Sequence, residues 1–138
     1  MTAVETSLSE LLNRPKATLA TLRGARRIVL RRQGAEDLML TTAARAEQDH
    51  EVMGVINRMF MEMTRTPAGR NLVLDVLPAA FPWARYLPAH EVRDFSVELV
   101  GVLGAATELD NTAAAQLITE WRHTAEVHAD RAARSAYH

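Results

Sequence analysis

The apolar positions of this chain change period near residue 42. Beyond it, Val52, Ile56, Met59 and Met63 fall at i, i+4, i+7 and i+11, the spacing of one helix stripe. This predicts a helix starting near Ala44, with Met53 and Phe60 widening the stripe and Met61 adding a further thioether. Two readings stay open: a helix core filled by adaptable methionines, or a deformable surface for a protein partner. Val92, Phe95, Leu99 and Leu103 repeat the stripe and predict a second long helix over Ala89–Thr107. Gly101 and Gly104 lie inside it, each costing up to about 1 kcal/mol relative to Ala, and close helix–helix approach is the simplest reason for them. Asp110-Asn111-Thr112 caps a final helix from Ala113 to about Ser135, with Leu117, Trp121 and His128 partly along one face.

Between these helices, Thr66-Pro67-Ala68-Gly69 interrupts the pattern, and Asn71–Leu77 reads as a helix turn. Pro78, Pro82 and Pro88 break up the next stretch. Phe81, Trp83 and Tyr86, set among these prolines, either plug a helical core or anchor a partner.

Before residue 42 the elements are shorter. Ser7-Leu8-Ser9-Glu10 reads as a capping box opening a short helix. Pro15 suits the first turn of a second helix, on which Leu19 and Leu22 share a face, and Gly24 fits its end. Arg26–Arg32 is rich in β-branched residues, with Ile28 and Leu30 on one face. Gly34 marks a turn, and Asp37–Thr41 returns as a second strand with Leu38 and Leu40 facing one way. The expected fold class is therefore α+β: a helix–helix–β-hairpin module over 1–42, then a helical module over 43–138. A block as small as the first can hardly bury a sufficient core alone, so it is expected to dimerise or dock.

Charge follows the same division. Residues 1–42 carry seven Lys/Arg against four Asp/Glu, and residues 43–138 carry nine against thirteen. All seven cations of the first block lie between Arg14 and Arg32, uninterrupted by an acid. Such a run is either a solvated face or a nucleic-acid footprint. With no cysteine in the chain, disulfides, thiolate metal sites and cysteine nucleophiles are excluded. No apolar run approaches the roughly 18 residues of a membrane span, so no membrane is expected. Met1–Glu10 lacks the regions of a secretory signal, which makes the cytoplasm the expected compartment.

Enzymatic chemistry finds little footing. Glu47-x-x-His50 and Glu120-x-x-His123 have the spacing used by di-iron helical bundles, and Glu91 or Glu98 are available as bridging carboxylates. However, Glu47 and His50 lie in a polar helix start, and Arg122 adjoins His123. No metal site, cofactor or catalytic residue is expected. There is no Gly-rich phosphate loop and no Gly-x-Ser-x-Gly elbow. His90-Glu91 reads as a helix-start pair, and Asp75 and Asp94 as solvated or capping groups.

Ser-Leu-Ser-Glu-Leu-Leu-Asn-Arg-Pro-Lys (7–16), the Gly24 break, Arg-Ile-Val-Leu-Arg-Arg-Gln-Gly (27–34) and Asp-Leu-Met-Leu (37–40) together resemble the Phd/YefM, or prevent-host-death, antitoxins. That family shows a Ser-x-x-Glu-Leu helix start, a second helix, a strand ending in Arg-Arg-x-Gly, and a second strand leading into a helix. The resemblance covers residues 4–42. Glu120–Ala125 also resembles C-terminal segments of some members. Where the family often places a basic residue and Pro after the hairpin glycine, this chain has Ala35-Glu36-Asp37.

The resemblance implies a dimeric DNA-binding repressor that neutralises a cognate protein toxin and represses its own operon. Arg14, Lys16, Arg31 and Arg32 match the family's basic positions and are the expected DNA contacts. Ile28, Leu30, Leu38 and Leu40 are expected in a homodimer core. The helical module is expected to bury Met59, Phe60, Trp83 and Phe95 against the toxin. The alternative is a helical protein-interaction adaptor that keeps a Phd-like fold without binding DNA.

Overall fold

The computed structural model describes residues 4–105 and 111–136. The elements run β1 (Val4–Ser7), α1 (Leu8–Asn13), α2 (Pro15–Thr21), β2 (Ile28–Arg31), β3 (Leu38–Leu40), α3 (Ala43–Met63), α4 (Pro67–Ala80), a 3-10 turn (Pro82–Tyr86), α5 (Ala89–Ala105) and α6 (Thr112–Ala136). The chain is thus mostly helical, with one small sheet. It divides into two compact units, Met1–Val52 and Met53–His138. This division falls inside α3, later than the hairpin end. Arg45 explains the delay: its guanidinium donates to the carbonyls of Leu22 (3.1 Å), Ala25 (2.9 Å) and Arg26 (3.1 Å). The opening turns of α3 are therefore tied to the first unit.

In the first unit the strand order is β1-β2-β3. β2 pairs antiparallel with β3 in the register Ile28↔Leu40, Val29↔Met39, Leu30↔Leu38. β1 pairs with it in parallel, Val4 opposite Ile28 and Ser7 opposite Arg31. β1 carries no strand pattern in the sequence and precedes the first expected helix. Parallel strands need a crossover, and α1 with α2 supplies it. Ser7 ends β1 and caps α1, its Oγ accepting from the Glu10 amide at 3.1 Å. The reciprocal half of the capping box is replaced: Glu10 Oε1 lies 3.9 Å from Arg14 Nε. Pro15 opens α2 as expected. Gly24 does not adopt the left-handed conformation of a helix-ending glycine; Gly34 does, at φ 73°, and turns the hairpin. Ile28, Leu30 and Leu22 form the core, with Leu8, Leu11 and Leu40 packed on it. Leu19, expected beside Leu22, is exposed.

The second unit holds the larger core: Val73, Leu77, Ala84, Leu87, Phe95, Leu99 and Ala125, drawn from α4, the 3-10 turn, α5 and α6. Phe95 sits at its centre, with ring centroids 5.2 Å from Phe81, 5.4 Å from Trp83 and 5.8 Å from Trp121. These tilted and edge-on pairs are the arrangements aromatic quadrupoles favour. Pro78, expected to break the chain, lies inside α4, two residues from its end. Proline there removes the amide that would bond the Leu74 carbonyl, but the helix runs only two residues further, and the Phe81 amide closes it on the Leu77 carbonyl at 2.8 Å. Of the two α5 glycines, Gly104 answers to close approach, since a Cβ there would come 2.8 Å from Met61 Cε. Gly101 faces open space. Asp110, assigned to the cap of α6, lies outside the described residues.

Candidate functional site

Two surfaces stand out, one on each unit. The first is the basic block. Lys16, Arg23 and Arg27 are exposed and have no ionic partner among the described residues. Arg14 has only the long, exposed contact to Glu10. Arg31 and Arg32 are committed elsewhere. Arg31 Nη2 meets Glu5 Oε2 at 2.6 Å across the β1–β2 pair. Arg32 Nε donates to the Glu36 carbonyl at 2.8 Å, and its amide donates to Asp37 Oδ1 at 3.4 Å. The acidic tip therefore builds the hairpin, with Arg32 laced across it. Of the four expected DNA contacts, Arg14 and Lys16 present available charge. Arg23 and Arg27, not singled out from the sequence, join them. Their signal was the uninterrupted charge run itself. α2 has only seven residues, so its terminus contributes little dipole and any phosphate contact rests on side chains.

The expected dimer core divides as well. Ile28 is 0% exposed and Leu30 is buried, both covered within one chain by Leu8 and Leu11 of α1 and by Leu22 just past α2. They are core residues of the unit and have no surface left for a partner. Leu40 packs against the same cluster, whereas Leu38 is 42% exposed and its strand neighbour Met39 is exposed too. Leu38 and Met39 are the exposed apolar side chains of β3.

The second surface is α3. None of its residues is buried. Val55, Ile56, Met59 and Met63 in the second unit are exposed, Met59 at 66%, and Val52 in the first is exposed as well. The opposite side carries the contacts instead: Asn57 Nδ2 donates to the Leu103 carbonyl at 3.2 Å, and Met61 approaches Gly104. The stripe that periodicity marks as most apolar thus faces outward. The other expected partner residues are placed differently. Phe60 and Trp83 are half-buried against the core, and Phe95 is 0% exposed. Phe95 is enclosed by Phe81, Trp83 and Trp121, so it cannot touch another molecule in the folded state. Tyr86 alone of its trio stays outside, with the Arg85 guanidinium 4.8 Å over its ring.

Scans of protein-family profiles, curated proteins and solved structures find no match to this chain. Of the residues on which metal chemistry was weighed, Glu91 and Glu98 are engaged by other side chains. His128 Nε2 lies 2.8 Å from Glu91 Oε2, and the Trp121 indole donates to Glu98. Among the described residues no group of three His, Asp or Glu is placed to hold a metal ion. Among the same residues no helix is long and apolar enough to cross a membrane.

Proposed function

We propose that this chain is a cytoplasmic antitoxin of the Phd/YefM kind, a homodimer that binds operator DNA through its first unit and a cognate protein toxin through its second. The observation that carries this reading is the order of the first unit. The motif residues that resemble the family fall on a Ser7-capped helix, a second helix opened by Pro15, a strand ending at Arg31, the Gly34 turn, and a strand leading into α3. Exposed cations on and around α2 (Arg14, Lys16, Arg23, Arg27) supply phosphate contacts, doubled in a dimer. The outward stripe of α3, with Met59 at its middle, supplies a methionine-rich surface that adapts to a folded partner. Leu38 and Met39 supply the apolar surface through which two copies meet.

Survival decides the reading. The adjacent reading frame, expressed alone, is expected to kill its host and to be harmless when this chain is co-expressed. A neighbour harmless on its own removes the antitoxin reading. One observation favours the adaptor alternative: Arg31 and Arg32 are tied to Glu5 and to the Glu36 carbonyl rather than open to phosphate. No affinity for any duplex at low salt selects that alternative.

A further inference from the structure

A cleft of about 310 Å³ opens in the second unit between α4 and α5, at the lower end of the roughly 300–1,000 Å³ typical of ligand sites. On α5 it is lined by Arg93, Ser96, Val97 and Val100, which fall at i, i+3, i+4 and i+7 and so share one helix face. On α4 it is lined by Arg70 and Leu74, also on one face. Two guanidiniums and no carboxylate line it, over an aliphatic floor.

Ser96 indicates what the cleft is built to hold. It is 8% exposed, and among the described residues its hydroxyl makes no hydrogen bond. A helical serine or threonine usually bonds back to the carbonyl four residues earlier. Thr21, Thr119 and Thr124 do so here, and Ser96 does not. No sealed side-chain oxygen in the described structure lacks a partner, so the free Ser96 hydroxyl is not fully enclosed, and Ser96 lines the cleft. Arg93 is likewise without an ionic partner among the described residues, whereas Arg70 donates to the Thr64 carbonyl at 3.0 Å and is held in place. An unpartnered hydroxyl and an unpartnered cation beside aliphatic walls favour a ligand with an anionic head and an apolar body.

We propose that the α4–α5 cleft is a binding site for a small apolar carboxylate, its carboxyl group held by Arg93 and Ser96 and its hydrocarbon body against Leu74, Val97 and Val100. The inference stands apart from the antitoxin reading, since neither DNA nor toxin contact uses these residues.

The probes are sodium octanoate, octan-1-ol with the same apolar body and no charge, and acetate with the charge and no body. Each is titrated into the full chain by calorimetry. Octanoate is expected to bind saturably with one site, at least about tenfold tighter than either control. Arg93→Gln is expected to weaken octanoate about tenfold and leave octanol unchanged. Arg93 is exposed and unpaired, so this variant keeps the fold, and circular dichroism checks that. Val97→Asp sets a like charge at the mouth, where Val97 is 73% exposed, and is expected to abolish octanoate binding. Equal affinity for octanoate and octanol, or octanoate binding untouched by both variants, overturns the proposal.

Discussion

α3 and α5 carry nearly the same hydrophobic signature and meet opposite fates. On α5, the stripe Val92, Phe95, Leu99 and Leu103 turns inward, and Phe95 and Leu99 are buried. On α3, the stripe Val52, Ile56, Met59 and Met63 is exposed along its length. Periodicity establishes that a helix has an apolar face, but not what covers that face. The difference lies in neighbours. α5 is met by Phe81 and Trp83 from the proline-rich connector and by Trp121 from α6. α3 presents Asn57 and Met61 to α5 instead, a polar and flexible side where close approach at Gly104 leaves room only for a thioether end. An exposed apolar stripe of this size marks an interaction surface more often than a packing error.

The sharpest way to break the comparison is to hollow out the α5 side. Phe95→Ala removes the ring against which three other aromatic rings pack. It is expected to cost about 3–5 kcal/mol, read as a lower urea midpoint with an unchanged slope. A loss under about 1 kcal/mol would mean that the aromatic cluster is not the core of the unit. The next effect concerns how α3 ends. A Cβ on Gly69 would collide with the Met63 carbonyl oxygen, because α4 starts by passing against the last turn of α3. Gly69→Ala is expected to cost about 1–3 kcal/mol, as forced backbone shifts do. A neutral outcome would show that the α3–α4 corner is not rigid.

These two positions also show how legible the chain was. The helices were readable because their stripes are long: Ala43–Met63, Ala89–Ala105 and Thr112–Ala136 start within a residue or so of where pattern and caps place them. β1 was not, because four residues hold too little alternation and a parallel partner more than twenty residues away leaves no local trace. The connector aromatics were visible as candidates, but only tertiary contact separates a plug such as Trp83 from an exposed ring such as Tyr86. The basic run was plain, whereas its division into tied and free cations was not. Arg31 is paired with Glu5 from a strand the pattern did not reveal, and Arg32 is held by a hydrogen bond to a carbonyl of its own turn. The Ser96 hydroxyl was invisible, since nothing in the sequence says that a helical serine will decline its usual backbone bond.

A smaller and opposite effect is expected on the outer side of α5. Gly101 has open space where a Cβ would lie, so Gly101→Ala gains helix propensity without a clash. It is expected to stabilise by about 0.5–1 kcal/mol, a rise of a few degrees in Tm. Gly104→Ala must push the end of Met61 aside and is expected to gain less. Equal gains would mean that α3 does not approach α5 as closely as Met61 and Asn57 indicate.

The smallest expected change in stability bears most directly on function. Met59→Asp places a charge in the middle of the α3 stripe. If that stripe is surface, the substitution moves the unfolding free energy by no more than about 0.5 kcal/mol, as ordinary surface changes do. The same substitution is expected to abolish rescue from the neighbouring reading frame's product, because an apolar interface core does not accept an unpaired carboxylate. The two readouts have to separate. A stability loss above about 1 kcal/mol would mean that Met59 is packed in solution, and the contrast between α3 and α5 would disappear. Unchanged stability with unchanged rescue would leave the stripe exposed and move the partner surface off α3. Only a stable protein that no longer protects its host joins the outward stripe to the antitoxin reading, since it alone ties the apolar face to something the chain must bind.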